Sequence, residues 1–261
     1  MKLVTLYRSA LALTTVLFLS CTDKDDTPIQ PVNNDVLVKR ITETVYYGTE
    51  SETSVGEFTY QSNVLTRIDV GPTYQEFEYV GDKISSVKQY ANNVLATTQT
   101  LNYDGAKLLS IISDGASPER TDFIHNSNGL SAIEHKYFSG GEWITFQKDE
   151  YSFTAGSNIA ERLRTSYLGG TSTSRSEYSY DSGNSPMRDM NPYFRLLSLY
   201  EGFDPKNQNN AVNQTSFTPA DASAGVVYTY ETTYNDLQFP TKIKRSAPDG
   251  TVISVTEIEY Q

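Results

Sequence analysis

FEYVGDKISSV, Phe77 to Val87, sets two aromatic residues two positions apart, follows them with a Gly-Asp turn, and then places Ile84 and Val87 three apart. Side chains two apart share one face of a β-strand, so Phe77 and Tyr79 stand on one side while Glu78 points away. The same order recurs in FTYQSNVLTRI (Phe58, Tyr60; Leu65, Ile68), LNYDGAKLLSI (Leu101, Tyr103; Leu108, Ile111) and FIHNSNGLSAI (Phe123, His125; Leu130, Ile133). YSFTAGSNIAERL repeats it one residue looser, with Tyr151, Phe153, Ile159 and Leu163, and YSYDSGN from Tyr178 opens a copy that runs into Pro186. The spacing between copies varies, which suits hairpins with adjustable loops better than the rungs of a rigid solenoid.

A second set of turns separates the copies. Asn92-Asn93, Asp114-Gly115, Gly140-Gly141, Gly169-Gly170 and Asp249-Gly250 each lie between runs rich in Thr, Val, Tyr, Ile and Ser, so each copy is two strands. The expected fold is all-β, a long antiparallel up-and-down meander of about fifteen strands. With one face aromatic and the other polar, such a sheet curls into a barrel or folds over on itself, because a flat one would leave edges and its aromatic face wet. A lipid-spanning porin is not expected, since polar alternates such as Lys88, Glu134, Arg162 and Arg164 leave no outward apolar band. One segment breaks the rhythm. After Pro186, Asn191 can cap a helix opened by Pro192 and continued by Phe194, Leu196, Leu197 and Leu199, a short helix near 192–200 that runs into an Asn/Gln-rich loop. It reads as a plug or cover for one end of the sheet, with a substrate lid as the alternative.

The front of the chain is different. Residues 1–20 carry Lys2 and Arg8 and then an apolar run too short for a settled transmembrane helix, the layout of a cleaved signal peptide. Phe18, Leu19, Ser20 and Cys21 resemble a bacterial lipobox, and Cys21 is the sole cysteine of the chain. Acylation of Cys21 implies a membrane partner reached through an N-terminal lipid anchor, with residues 21–34 as a flexible acidic tether and residues 35–261 as one β-meander domain. Lys24, Asp25 and Asp26 resemble the Bacteroidota lipoprotein export signal, which implies an outer-membrane location facing the exterior; a solvated linker is the other reading.

Composition narrows the partners. The 19 Tyr and 11 Phe must supply much of any core, while 32 acidic against 21 basic residues give a net charge of −11 that repels phosphate backbones and excludes a general nucleic-acid role.

Units such as LNYDGAKLLSI and EYSYDSGN resemble the YD repeats of the RHS type, and the chain from Val36 to Gln261 is similar to Bacteroidota surface lipoproteins built from such units. Only Tyr103-Asp104 and Tyr180-Asp181 keep the dipeptide. The resemblance implies a porin-like fold, and the family has no settled biochemical role.

Chemistry is sparse. His125 fills an aromatic slot of the repeat, so packing explains it, and its pairing with His135 is not expected to hold a metal. No nucleophile elbow, P-loop, dinucleotide fingerprint or EF-hand loop occurs, so neither cofactor nor enzymatic activity is expected. Glu76, Glu78, Asp149, Glu150, Asp181 and Asp189 leave a glycoside hydrolase with a carboxylate pair as the alternative. The leading expectation is a noncatalytic module for a glycan or protein ligand, with Tyr137, Phe138 and Trp143 beside the Gly140-Gly141 turn as the candidate platform. A Trp143 that fills the sheet core, and a structural envelope role for the chain, stay open.

Overall fold

Every hairpin of the chain joins the next in sequence order, and the last strand returns to pair with the first. The computed structural model describes residues 35–115, 117–155, 157–200 and 207–261. The signal peptide expected over residues 1–20, Cys21, and the tether with Lys24, Asp25 and Asp26 lie outside these. The strands are β1 (Val38–Tyr47), β2 (Glu50–Gln61), β3 (Val64–Val70), β4 (Thr73–Val80), β5 (Lys83–Ala91), β6 (Val94–Asp104), β7 (Lys107–Ser113) and β8 (Glu119–Asn126). They continue as β9 (Gly129–Ser139), β10 (Glu142–Phe153), β11 (Ile159–Ser166) and β12 (Ser172–Asn184), then a helix α1 (Pro192–Tyr200), and β13 (Asn209–Phe217), β14 (Val226–Tyr234), β15 (Pro240–Ser246) and β16 (Val252–Tyr260). The 16 strands form a closed antiparallel barrel, so of the two expected ways to hide the edges the chain takes the one that abolishes them.

The aliphatic pairs three apart have a structural cause. Leu65 faces Tyr60 and Ile68 faces Phe58, so four residues of β3 span three of β2 through a β-bulge, and the extra residue keeps both aliphatics on the aromatic face. The same bulge sets Ile84 and Val87 against Tyr79 and Phe77, Leu108 and Ile111 against Tyr103 and Leu101, and Leu130 and Ile133 against His125 and Phe123. In the looser copy Ile159 faces Phe153, but the residue three further on is Arg162, opposite Tyr151. Leu163 therefore lies on the outward side opposite Glu150, which corrects its expected place in the repeat. The seam uses the same device: Val38 and Ile41 face Tyr260 and Ile258, so one repeat is split between the two ends of the domain.

The second aromatic of each unit also reaches sideways. Tyr79 Oη donates to the Leu65 carbonyl, Tyr103 Oη to Ile84 and Tyr180 Oη to Ile159, each at 2.7 Å. Tyr60 bonds the Val38 carbonyl at 2.7 Å and Tyr260 that of Pro240 at 2.8 Å. His125 does the same work, its Nε2 lying 2.8 Å from the Leu108 carbonyl, so the histidine is explained by this clamp. Each ring ties its own unit to the first aliphatic of the unit before it.

Helix α1 fills this end of the barrel. Asn191 Oδ1 accepts from the amides of Tyr193 (2.9 Å) and Phe194 (3.3 Å), the expected cap before Pro192. Phe194 meets Phe58 and Phe77 edge-on, and Tyr193 meets Tyr103 with ring centroids 5.0 Å apart. Met187, Met190 and Leu197 complete a buried cluster with Leu65, Ile84, Leu108 and Ile133. The chain's return from the helix is held by buried asparagines: Asn207 Oδ1 accepts the Ile159 amide at 2.8 Å, and Asn158 Oδ1 accepts that of Gln208 at 2.6 Å.

Burial pushes the Tyr79 phenol up to about 12 and raises those of Tyr60, Tyr103 and Tyr260 as well. An unfolded tyrosine ionises near pH 10, so the unfolded chain loses protons that the folded one keeps. Stability should be full below about pH 10 and fall as pH rises from there toward 12, read as a declining urea midpoint. Tyr103→Phe, which removes the clamp and keeps the ring, should cost about 1–2 kcal/mol in the same assay. The equivalent change at exposed Tyr47 should be near neutral.

Candidate ligand-binding site

Along each strand the inward face changes character away from the plug. On β5 it runs from Ile84 and Val87 to Gln89, on β6 from Leu101 to Gln99 and Thr97, and on β7 from Ile111 to Ser113. On β8 it runs from Phe123 to Thr121 and Glu119, and on β9 from Ile133 to His135 and Tyr137. Gln89, Thr97, Gln99, Ser113, Glu119, His135, Phe146 and Gln147 line a cavity of about 510 Å³ toward the end opposite α1. Its walls are amides, hydroxyls and an aromatic ring, with Glu119 the single acid.

Beneath it lies a buried charge. Asp149, 2% exposed, takes Arg164 Nε at 2.7 Å and Nη2 at 3.0 Å on its two oxygens, and Gln147 Nε2 at 2.9 Å. His135 Nε2 lies 3.7 Å from Asp149 Oδ2, and its Nδ1 lies 3.3 Å from Thr121 Oγ1. Burial alone would raise the Asp149 carboxyl; His135 and Arg164 beside it, with the further charge of Arg162, outweigh burial and hold it at about 2. The carboxylate is thus a fixed anion that orients His135 and Arg164 under the cavity floor.

The expected platform divides between two faces. Tyr137 turns inward against Phe146, with centroids 6.2 Å apart. Phe138 and Trp143 face each other across β9 and β10, centroids 5.2 Å apart, on the outward side with Lys136. Phe138 is exposed and Trp143 only partly covered, so the indole does not fill the sheet core. The two histidines are equally separate, His125 in the clamp and His135 in the cavity wall, and no cluster of three potential metal ligands occurs among the described residues.

The candidate acids scatter as well. Glu76, Glu78 and Glu150 pair with Arg67, Lys88 and Lys148 on the outward face, and Asp189 pairs with Arg188. Asp181 accepts from the Tyr234 hydroxyl and from the Gly183 amide. The residues that do line the cavity were absent from the expected site. Their signal is simple: each except Phe146, the extra residue of a bulge in β10, lies two or four positions from a repeat aliphatic or aromatic, on the same face, toward the untouched end of its strand.

No family model matches the sequence, and no curated protein matches it. Among solved structures the chain is similar to a porin-like protein from Bacteroides vulgatus, at TM-score 0.55 and 12% identity over 87% of this chain and 99% of that one. It is also similar to a porin-like protein from Bacteroides uniformis, at TM-score 0.54 and 14% identity over 86% and 98%. At these identities the likeness is one of fold.

Removing Arg164 leaves a buried anion without its ion partner. Arg164→Met should cost about 3 kcal/mol at neutral pH, the low end for such a pair because Gln147 still donates. The depressed Asp149 carboxyl contributes stability that is present above about pH 4 and lost as pH falls toward 2. Asp149→Asn should flatten that acid limb in urea unfolding followed across pH.

Proposed function

We propose that this chain is a noncatalytic, non-conducting barrel of the bacterial outer envelope, anchored through acylated Cys21, that takes up a saccharide in its open half. The observation that carries the reading is the division of the barrel interior: one end is packed shut by α1, and the other keeps a cavity walled by Gln89, Gln99, Gln147, Thr97, Ser113 and Phe146. Paired amide and hydroxyl groups with one ring face are the chemistry that recognises sugar hydroxyls and C–H surfaces.

The outward face argues against a lipid-spanning role. Lys88 with Glu78, Lys136 with Asp122, Lys148 with Glu150, Lys244 with Glu231 and Lys242 with Glu257 lie where a porin would carry its apolar band. A tethered position outside the lipid fits that surface, and Lys24, Asp25 and Asp26 behind Cys21 fit export to the cell exterior. The similarity to porin-like proteins from Bacteroides supports the envelope setting. A glycosidase is the weaker reading, because Asp149 stays ionised down to about pH 2 and Glu119 has no second acid among the cavity-lining residues.

Three measurements test this. The full chain reconstituted in planar bilayers should give no stepwise conductance; stable channels would overturn the non-conducting reading. Titration of the detergent-solubilised protein with a saccharide panel should reveal a binder whose affinity falls about tenfold in Gln99→Ala, the loss of roughly one hydrogen bond. On intact cells protease should digest the native protein and spare a variant with Lys24, Asp25 and Asp26 replaced by Ala. Protection of both would place the domain on the periplasmic side.

A further inference from the structure

The inward wall of β13, β14 and β15 carries a cation without an anion. On the outward face Arg40, Arg67, Lys88, Arg120, Lys136 and Lys148 each pair with a carboxylate. Arg245 does not. It stands opposite Tyr230 and Ser254, two positions beyond Ile243 of the core, and so faces inward, while neighbouring Lys244 faces outward to pair with Glu231. Among the described residues no acid lies within ion-pair distance of it, in a chain where acids outnumber bases by 32 to 21.

What surrounds Arg245 instead is neutral and polar. Its guanidinium carbon sits 4.5 Å from the centroid of Tyr228 and 5.9 Å from that of Tyr230, so both rings lie against the cation. One long contact, Nη2 to Gln214 Oε1 at 3.5 Å, is its hydrogen bond, and its Nε has no partner. Gln214 is itself oriented: Tyr230 Oη donates to its Oε1 at 2.8 Å, and its Nε2 donates to Ser216 Oγ at 3.1 Å and Ser176 Oγ at 3.4 Å. Arg245 lies close to the turn between β15 and β16, at the end of the barrel away from α1, and is half-buried. A guanidinium fixed by stacking, left with free Nη donors and flanked by hydroxyls, is preorganised for bidentate binding of a carboxylate.

We propose that Arg245, backed by Tyr228 and Tyr230 and flanked by Gln214, is a carboxylate-binding subsite, and that the saccharide class this barrel takes is an acidic one bearing a uronate-type carboxyl. The proposal rests on the saccharide-binding reading given above and adds the charge of the ligand. The net negative charge of the chain does not oppose it: repulsion at long range is screened by salt, whereas an anion seated on Arg245 is within contact distance.

The test compares D-glucuronate with D-glucose by NMR titration of the full chain in detergent, following the arginine side-chain Nε–Hε resonances. Glucuronate should bind at least tenfold tighter than glucose and shift the Arg245 resonance. In Arg245→Gln its affinity should drop about tenfold while that of glucose is retained. Gln214→Glu places a carboxylate beside the guanidinium within the protein, occupies the site internally, and should abolish the preference without loss of thermal stability. Equal affinity for the two sugars, or a glucuronate affinity unchanged in both variants, overturns the carboxylate subsite and leaves the saccharide reading standing. No binding of either sugar overturns both.

Discussion

The structure depends on one small construction, a hairpin with a β-bulge after its turn whose second aromatic ring hydrogen-bonds backward to the preceding hairpin. The bulge sets four residues against three, and that is why aliphatics three apart can share a face with aromatics two apart. It also frees the backbone locally, and the tyrosine hydroxyl takes up the carbonyl there. Because the clamp from Tyr79 lands on Leu65, that from Tyr103 on Ile84 and that from Tyr180 on Ile159, these hairpins are fixed to their neighbours by a side chain as well as by the ladder. Buried hydroxyls bonded to main-chain carbonyls specify register in a way that apolar contacts alone cannot, since a slip would leave both groups unsatisfied. Closure then requires nothing new: Val38, Ile41, Ile258 and Tyr260 are one more copy of the unit, assembled from the chain's two ends.

The same construction sorts the interior. The repeat's own bulges and clamps sit toward the α1 end, so its large apolar side chains gather there and the plug has something to pack on. Toward the far end the inward positions fall outside the repeat and are released from its packing demands. They are taken by Gln, Ser, Thr, His and Arg, and by Asp149, the one fully buried acid among the described residues, whose charge is balanced by Arg164 and His135. A barrel of this many strands cannot fill its whole interior with one helix. The half without the plug is where a ligand has room.

Much of this was legible in the residues. FEYVGDKISSV and its relatives showed hairpins, one aromatic face and a closed or folded sheet, because period-two alternation and turn chemistry are local. Asn191-Pro192 marked the helix start for the same reason. Leu163 misled, since hydrophobicity pointed to it where the bulge demanded position 162, and the arginine there adds its charge to those that hold Asp149 ionised. Tyr137, Phe138 and Trp143 looked like one cluster because they are close in sequence, yet adjacent strand positions point to opposite faces. The cavity was harder to see. Gln89 and Gln99 share the β5–β6 hairpin, but Gln147 comes from β10 and joins them only through the curl of the sheet, and Arg245 stands out only once the acids around it have been found to pair elsewhere.

A likeness to porin-like barrels and an outward face of ion pairs are compatible once backbone and side chains are considered apart. Strand number and up-and-down order fix the barrel; which alternate positions are apolar decides what it can touch. Here the apolar core faces inward and, the buried Asp149 cluster aside, the strand ion pairs face outward, the reverse of the arrangement that lipid requires. Reversal needs no change of topology, because a strand's two faces differ by one residue of register. It does change what the interior can be. A lipid-facing barrel can leave its lumen wet, since its apolar surface is buried by the bilayer, whereas a barrel with a charged exterior must bury its apolar surface within. That requirement accounts for α1 and the aromatic clamps together, and it confines any site for a ligand to the half of the interior that the core does not need.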